Sequence, residues 1–394
     1  MNENEAVQKP VEPVAQPAVT QPVVTQPTVM QAPKSNKKML IMVAILVVVG
    51  VLVIGGLVMY ILNSTPKSTA VTANPATKQI VIGFSMGTLQ EERWQKDRDS
   101  IIAQAKVLGI SVDVQGANND KDKQISQAES MIAKGVNVLL IAPYDATSMV
   151  GVISDAHKVG IKVISYDRLM TKSNADYYIS FDNEKVGQLQ AQSVVDAVKD
   201  QLGKGKVLKF AYIGGSPTDN NATLLRKGSF EVLQPLIDKG EIKIVVDKPT
   251  ADWDPDVAYQ NMKSYLSTSS GAIDVVVAAN DGTAGGAVKA LQEYHLAGKV
   301  PVSGQDAELA ALQRIVAGTQ TATVYKPIPR EDAAVLDMAI KLANNQKIEA
   351  NAKVNDGQID VPSVLLEPTL VTKDNILSTV IKDNYHTSAE IYQK

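Results

Sequence analysis

The sequence predicts an α/β protein with two successive arrays of parallel strands and helices, preceded by one membrane-spanning helix. Three observations predict it. From Gln79 onward, strand-like and helix-like segments alternate strictly. The strands are continuous Val/Ile/Leu runs, the pattern of strands covered on both faces and therefore of parallel sheets. Upstream, Met39–Leu62 carries no charge and is dominated by Val, Ile, Leu, Met and Gly.

Residues 1–38 are rich in Pro, Gln, Val and Thr, with a loose repeat at Gln16-Pro17, Gln21-Pro22 and Gln26-Pro27. Prolines this frequent deny both helix and sheet, so an extended tail is expected, either a docking segment for a cytoplasmic partner or simply solvated. The apolar run 39–62 exceeds the roughly 20 residues that span a bilayer core. Lys34, Lys37 and Lys38 precede it and only Lys67 lies just after. The positive-inside rule therefore places the N-terminus in the cytoplasm and everything beyond Asn63 outside. A cleaved signal peptide is the rival, but its apolar core would be too long, and Val71-Thr72-Ala73 lies far from that run. Residues 63–78 are expected to be a polar linker.

In the first array, strands are expected at Ile80–Met86, Ile110–Gln115, Val136–Pro143 and Ile161–Tyr166, with helices at Arg93–Leu108, Lys123–Ala133 and Thr147–Lys158 between them. Gly109, Gly135 and Gly160 each follow a helix directly, where a C-capping glycine belongs. After Tyr177–Asp182 the pattern restarts, with strands at Val207–Gly214, Ile242–Asp247, Ile273–Ala279, Val300–Gly304 and Thr321–Tyr325. Two arrays of similar size imply two lobes and a cleft.

Composition and motifs exclude several functions. The net charge of -3 and the lack of any long basic stretch give nucleic acid no surface. Zero cysteines exclude disulfides, thiolate metal sites, a cysteine nucleophile and a lipid-modified N-terminal cysteine. No glycine-rich nucleotide loop is present, and Gly214-Gly215 and Gly285-Gly286 read as turn and packing devices. His157, His295 and His386 are scattered without ligand-like spacing, and no G-x-S-x-G elbow occurs. Asp167 and Asp306 could be the paired acids of a glycosidase. Each, however, sits beside a basic or amide residue, Arg168 or Gln305, which keeps it ionised. Neither an enzyme nor a cofactor is expected.

What remains is a ring of polar strand ends. Successive strands run into Asp167-Arg168, into Ser216, Asp219 and Asn221, into Asn280-Asp281, into Gln305-Asp306 and onto Lys326. In open α/β sheets, ligands bind beyond the carboxyl ends of the strands. Sugar hydroxyls both donate and accept, so carboxylates, Arg, Lys and Asn suit them, while aromatic rings cover the apolar ring faces. The chain's two tryptophans, Trp94 and Trp253, both fall in segments facing the expected cleft. Ordinary packing for either Trp, and a surface or hinge salt bridge for Arg168 or Lys326, are the competing readings.

At these residues the chain resembles the bacterial D-xylose-binding proteins. The resemblance rests on Glu92-Arg-Trp-Gln-Lys-Asp-Arg, Ser165-Tyr-Asp-Arg, Tyr178-Ile-Ser-Phe-Asp-Asn-Glu-Lys-Val-Gly, Gly214-Gly-Ser-Pro-Thr-Asp-Asn-Asn-Ala, Ala279-Asn-Asp-Gly-Thr-Ala-Gly-Gly-Ala, Ser303-Gly-Gln-Asp-Ala and Thr323-Val-Tyr-Lys-Pro-Ile. It runs in order from Gln79 to the C-terminus. It implies a two-lobed type I periplasmic-binding-protein fold, two doubly wound parallel sheets joined by a three-crossing hinge. One lobe would hold 79–181 plus 328–364, the other 182–327 plus 365–394. It also implies that Arg93, Asp167 and Arg168 contact sugar from the first lobe. Asn221, Asn280, Asp306 and Lys326 would do so from the second lobe and hinge, with Trp94 and Trp253 stacking and Asp219 as a further candidate. Ser85-Met86-Gly87-Thr88 departs from the family where acidic residues occur, and the N-terminal membrane span departs more.

The implied function is capture of D-xylose or a related aldopyranose by a membrane-anchored, monomeric binding domain that delivers it to the permease of an ATP-driven (ABC) importer. Alternatives are a sensor subunit read by a membrane histidine kinase, and a broad-specificity monosaccharide binder.

Overall fold

The computed structural model describes residues 79–393. The expected tail at 1–38, membrane helix at 39–62 and linker at 63–78 lie outside the described residues. Among the described residues no helix is long and apolar enough to cross a membrane.

The first array is built from β1 (Val81–Met86), α1 (Glu92–Val107), β2 (Ser111–Gly116), α2 (Lys121–Ala133), β3 (Val138–Ala142), α3 (Val150–Lys158), β4 (Lys162–Tyr166) and β5 (Tyr177–Phe181). The chain then enters a second array with α4 (Asn183–Ala197), β6 (Leu208–Ile213), α5 (Asn220–Asp238), β7 (Ile242–Lys248), α6 (Pro255–Ser269), β8 (Val275–Ala278), α7 (Asp281–Glu293), α8 (Leu309–Ala317) and β9 (Ala322–Tyr325). It returns to the first with α9 (Ile328–Ala343), β10 (Ala352–Asn355) and β11 (Asp360–Leu366), and ends with β12 (Thr369–Thr372) and α10 (Ser388–Ile391).

β1 to β5, β10 and β11 form one seven-stranded sheet in the order β10-β11-β5-β4-β3-β1-β2. It is parallel except where β10 turns back on β11. The second array has a parallel β7-β6-β8 sheet and an antiparallel β12-β9 pair. Isolated bridges at Val276–Val302 and Gln305–Val324 join them. Each sheet is covered on both faces. Ile82, Phe84, Val138, Leu140 and Ile164 pack under α1 and α9, while Leu139, Ile141 and Val163 pack under α2 and α3. In the second array Val276 and Ala278 face α6 and α7, and Phe210 and Val277 face α4. These are the three-layer sandwiches that the continuous apolar strands demand.

Local chemistry sets the element ends. Asp120, Asp182, Asp219, Asp254 and Asn280 each cap the helix that follows by accepting backbone N–H bonds. Gly109, Gly135 and Gly160 stand past their helices with φ of 70°, 75° and 79°, the left-handed turn that glycine adopts without a Cβ clash. α3 starts at Val150, later than Thr147, because the Asp145 carboxylate holds the Thr147 N–H and hydroxyl in a turn. The strand expected at Val300–Gly304 is reduced to the single bridge at Val302. Pro301 can accept from Val276 but has no N–H to extend the ladder.

Candidate functional site

The carboxyl ends of β1, β4, β6, β8 and β9 converge on one cavity holding about 290 Å³ of space not filled by atoms. Its walls are Glu91, Arg93, Trp94, Asp167, Arg168, Asp219, Asn221, Trp253, Asn280, Gln305, Asp306 and Lys326. All ten residues singled out from the sequence are here, together with Glu91 and Gln305. Except for Glu91, each is at most 5% exposed.

On the first-array side, Glu91 precedes the first turn of α1 with extended backbone, and Arg93 and Trp94 follow in that turn. Arg93 Nη1 donates to Asp167 Oδ2 at 2.7 Å, and its Nε donates to Asp97 Oδ2 at 3.2 Å. Asp167 takes a left-handed backbone, φ 54°, immediately beyond β4, which points its carboxylate across the strand ends. Burial alone would raise its pKa, but Arg93 and Lys326 outweigh burial and hold it at about 2. The guanidinium carbons of Arg93 and Arg168 lie 4.2 and 4.9 Å from the Trp94 ring centroid. The indole therefore makes cation–π contacts with both as well as lining the cavity.

On the opposite wall, Asp219 is committed to the protein. It caps α5, accepts from Trp253 Nε1 at 3.2 Å and pairs with Arg168 Nε at 2.8 Å. It positions those two side chains and has little left to offer a ligand. Trp253 seats its ring edge against Gly215, where a Cβ would come 2.1 Å from Trp253 Cη2. The pair Gly285-Gly286 is likewise a close-packing device, since a Cβ at Gly286 would come 2.1 Å from the Pro255 carbonyl. Asn280 spends its Oδ1 on the α7 cap, accepting from Thr283 N, which leaves the amide nitrogen to face the cavity. Asp306 has φ 93° and pairs with Lys326 Nζ at 3.0 Å. Left-handed backbones at Asp167, Asp252, Trp253, Asp306 and Ala307 concentrate strain of about 1–3 kcal/mol each at the site.

Four buried acceptors of the cavity walls remain without a hydrogen-bond partner: Glu91 Oε2, Asn221 Oδ1, Gln305 Oε1 and Asp306 Oδ1, the last of them ion-paired with Lys326. Buried polar atoms in a folded protein are normally paired. The walls also come close to balance in charge, with the four carboxyls of Glu91, Asp167, Asp219 and Asp306 against the three cations Arg93, Arg168 and Lys326, and burial raises the Glu91 pKa. A neutral solute bearing several hydroxyls matches both features. Among the described residues, no group of His, Asp or Glu is placed to hold a metal ion.

Paired α/β arrays around a buried polar cavity at their strand ends are the architecture of a solute-binding protein. Residues 82–347 match the family model described as periplasmic binding protein domain. The chain is 49% identical over 324 residues to a D-xylose-binding periplasmic protein of Haemophilus influenzae, covering 82% of this chain and 96% of that relative. It is 47% identical over 314 residues to the D-xylose-binding periplasmic protein of Escherichia coli, covering 80% and 93%. Its fold is similar to that of an ABC transporter solute-binding protein from Clostridium phytofermentans solved with bound β-D-glucose. That match has a TM-score of 0.74 and 30% identity, and it covers 79% of this chain and 99% of that one. The chain belongs to the family of D-xylose-binding periplasmic proteins.

Glu91 and Gln305 were not singled out from the sequence. Gln305 stood in view as the neighbour of Asp306 at a strand end. Glu91 carried no signal, because the Glu91-Glu92 pair does not reveal which carboxylate turns inward.

Proposed function

We propose that the cavity captures D-xylose, or a related aldopyranose, for delivery to an ATP-driven importer. The observation that carries this reading is the cavity itself, buried, nearly balanced in charge and lined by acceptors without hydrogen-bond partners at Glu91, Asn221, Gln305 and Asp306. Trp94 and Trp253 would cover the apolar ring faces, while Arg93, Asp167, Arg168, Asn221, Asn280, Asp306 and Lys326 would meet the hydroxyls. Asp219 would act through Arg168 and Trp253. A pentose would be chosen over a hexose by leaving the extra hydroxymethyl group no room and its hydroxyl no partner.

The two lobes would be 79–181 plus 328–364 and 182–327 plus 365–394, closing on the sugar by a hinge motion. In the same reading, residues 39–62 anchor the domain in the membrane, 63–78 are the linker, and 1–38 form a cytoplasmic tail. Protease treatment of intact cells would test the anchor, since it should remove the sugar-binding domain and leave the tail protected.

Calorimetric titration with D-xylose, L-arabinose, D-ribose, D-glucose and D-galactose tests the site. Micromolar or tighter binding of D-xylose alone is expected, and silence with all five would overturn the reading. The glucose held by the related Clostridium phytofermentans protein favours one alternative, a binder of several aldoses. Comparable heats with several sugars would establish that alternative.

A further inference from the structure

Behind Arg93 stand Asp97 on α1, Tyr166 at the end of β4, and Glu331 in the first turn of α9 with Asp332 next to it. None of them lines the cavity, and all four are fully buried. Tyr166 Oη lies 2.5 Å from Asp97 Oδ1 and 2.8 Å from Asp332 Oδ1. A phenol has one proton and can donate to only one carboxylate. The other short contact therefore needs a proton on a carboxyl oxygen. Asp97 is gripped by Arg93 Nε and Nη2 at 3.2 and 3.3 Å. Asp332 makes no ion pair among the described residues, and its Oδ2 has no partner. The extra proton belongs on Asp332.

Glu331 presents the same problem more sharply. Neither of its carboxyl oxygens has a hydrogen-bond partner, and its one cation contact is Arg93 Nη2 at 3.6 Å. A buried carboxylate without hydrogen bonds is an arrangement that proteins relieve by taking up a proton.

We propose that these four residues form a proton-holding support for Arg93, in which Asp97 is the ionised group that positions the guanidinium and Glu331 and Asp332 are neutral acids. The charged surroundings require it. Arg93 and Asp97 face the cluster from α1, Tyr166 and Asp167 from β4 and the turn after it, and Tyr178 from β5. Asp306 and Lys326 face it from the loops flanking β9, and Tyr385 from the C-terminal segment. Asp97, Asp167, Asp306, Glu331 and Asp332 would thus confront Arg93 and Lys326, with Arg168, itself paired to Asp219, reaching Asp167 from the cavity side. With Glu331 and Asp332 neutral, the imbalance nearly disappears, and Arg93 keeps Asp97 and Asp167 as its close partners. Burial raises the carboxyls of Asp97, Glu331 and Asp332, Asp97 less than the other two because Arg93 and the Tyr166 hydroxyl act against it. Burial, and then Asp167, push Glu331 well above the ordinary carboxyl range. Burial, and then Asp97, do the same to Asp332.

The test uses the full-length chain and its Glu331→Gln, Asp332→Asn and Asp97→Asn variants, melted between pH 5 and pH 8.5 and titrated with D-xylose at pH 7. A carboxyl whose folded pKa is raised stabilises fully below its unfolded value, and that contribution is lost as pH rises through the folded value. An amide does not titrate, so Glu331→Gln and Asp332→Asn should melt about 2 °C or more above the natural chain at pH 8, a gain that shrinks toward pH 5. Glu331→Gln should hold its D-xylose affinity within about threefold, while Asp97→Asn loses about tenfold or more. Melting below the natural chain at pH 8, or a tenfold loss of affinity in Glu331→Gln, would overturn the proposal. Should Asp332→Asn not fold, Glu331→Gln decides alone. The positioning of Arg93 rests on the sugar-site reading. Failure of the natural chain to bind any sugar would remove that reading, while the melting curves would still decide where the protons reside.

Discussion

The Tyr144 hydroxyl donates to Asp252 Oδ1 at 2.6 Å, joining the loop after β3 in the first array to the turn before α6 in the second. The Ala146 N–H to Thr218 carbonyl bond at 3.0 Å lies beside it. Tyr144→Phe removes the first contact and leaves the second. Sugar affinity is expected to fall about two- to tenfold, the worth of one hydrogen bond, with little change in melting temperature. Calorimetry and thermal unfolding of the same preparation separate the two effects. The phenol's pKa is raised to about 12, chiefly by its bond to Asp252. The latch is therefore intact below the unfolded phenol value of about 10 and lost only as pH climbs from there through 12.

Gly215→Ala should be far more damaging than its single methyl suggests. The new Cβ would overlap the Trp253 ring, coming 2.1 Å from Cη2 and 2.5 Å from Cζ2 and Cζ3, and the indole is 5% exposed. Overpacking of this kind costs about 1–3 kcal/mol, and here it displaces a wall of the cavity. A shift of tryptophan fluorescence, together with weaker D-xylose binding of about tenfold or more, is the expected pair of readouts.

Asp219→Asn tests whether Asp219 works through its neighbours. The substitution weakens the Arg168 pair at 2.8 Å and can disturb the Trp253 contact. A buried cation that loses its partner costs about 3–5 kcal/mol, so both melting temperature and affinity should drop. Adding Arg168→Met to the variant should restore melting temperature but not sugar binding.

Stability at low pH should carry the signature of Asp167. With its folded pKa lowered to about 2, the carboxylate contributes fully above the ordinary aspartate value of about 4, and that contribution is lost as pH falls from 4 through 2. Asp167→Asn should remove this part of the acid limb in a melting series and abolish sugar binding at neutral pH.

How much could be read beforehand follows from locality. Helix ends were legible because Asp120, Asp182 and Asn280 cap through neighbouring N–H groups, and Gly109 and Gly160 adopt a conformation that glycine alone takes freely. The ten cavity residues were legible from their positions at strand ends and from the family motifs around them. The Val300–Gly304 segment misled because its apolar pattern survives while Pro301 removes one ladder donor. Glu91 and Glu92 look alike in sequence, yet Glu92 accepts from Leu309 N at 3.0 Å while Glu91 turns to the cavity. The Asp97–Tyr166–Asp332 contact was out of reach, because it joins residues as many as 235 positions apart that nothing local connects (332 − 97 = 235).

The order in which the chain visits its two sheets has a consequence for its synthesis. β5 is laid down at residues 177–181, but its outer neighbour β11 arrives only at 360–366, after the whole second array. Until then the first sheet leaves the ribosome with a bare, apolar edge, the kind that pairs wrongly with other chains. β9 likewise waits for β12 at 369–372. A stop codon anywhere before residue 360 would therefore leave both sheets unfinished, and chaperone demand should be greatest in the last moments of translation.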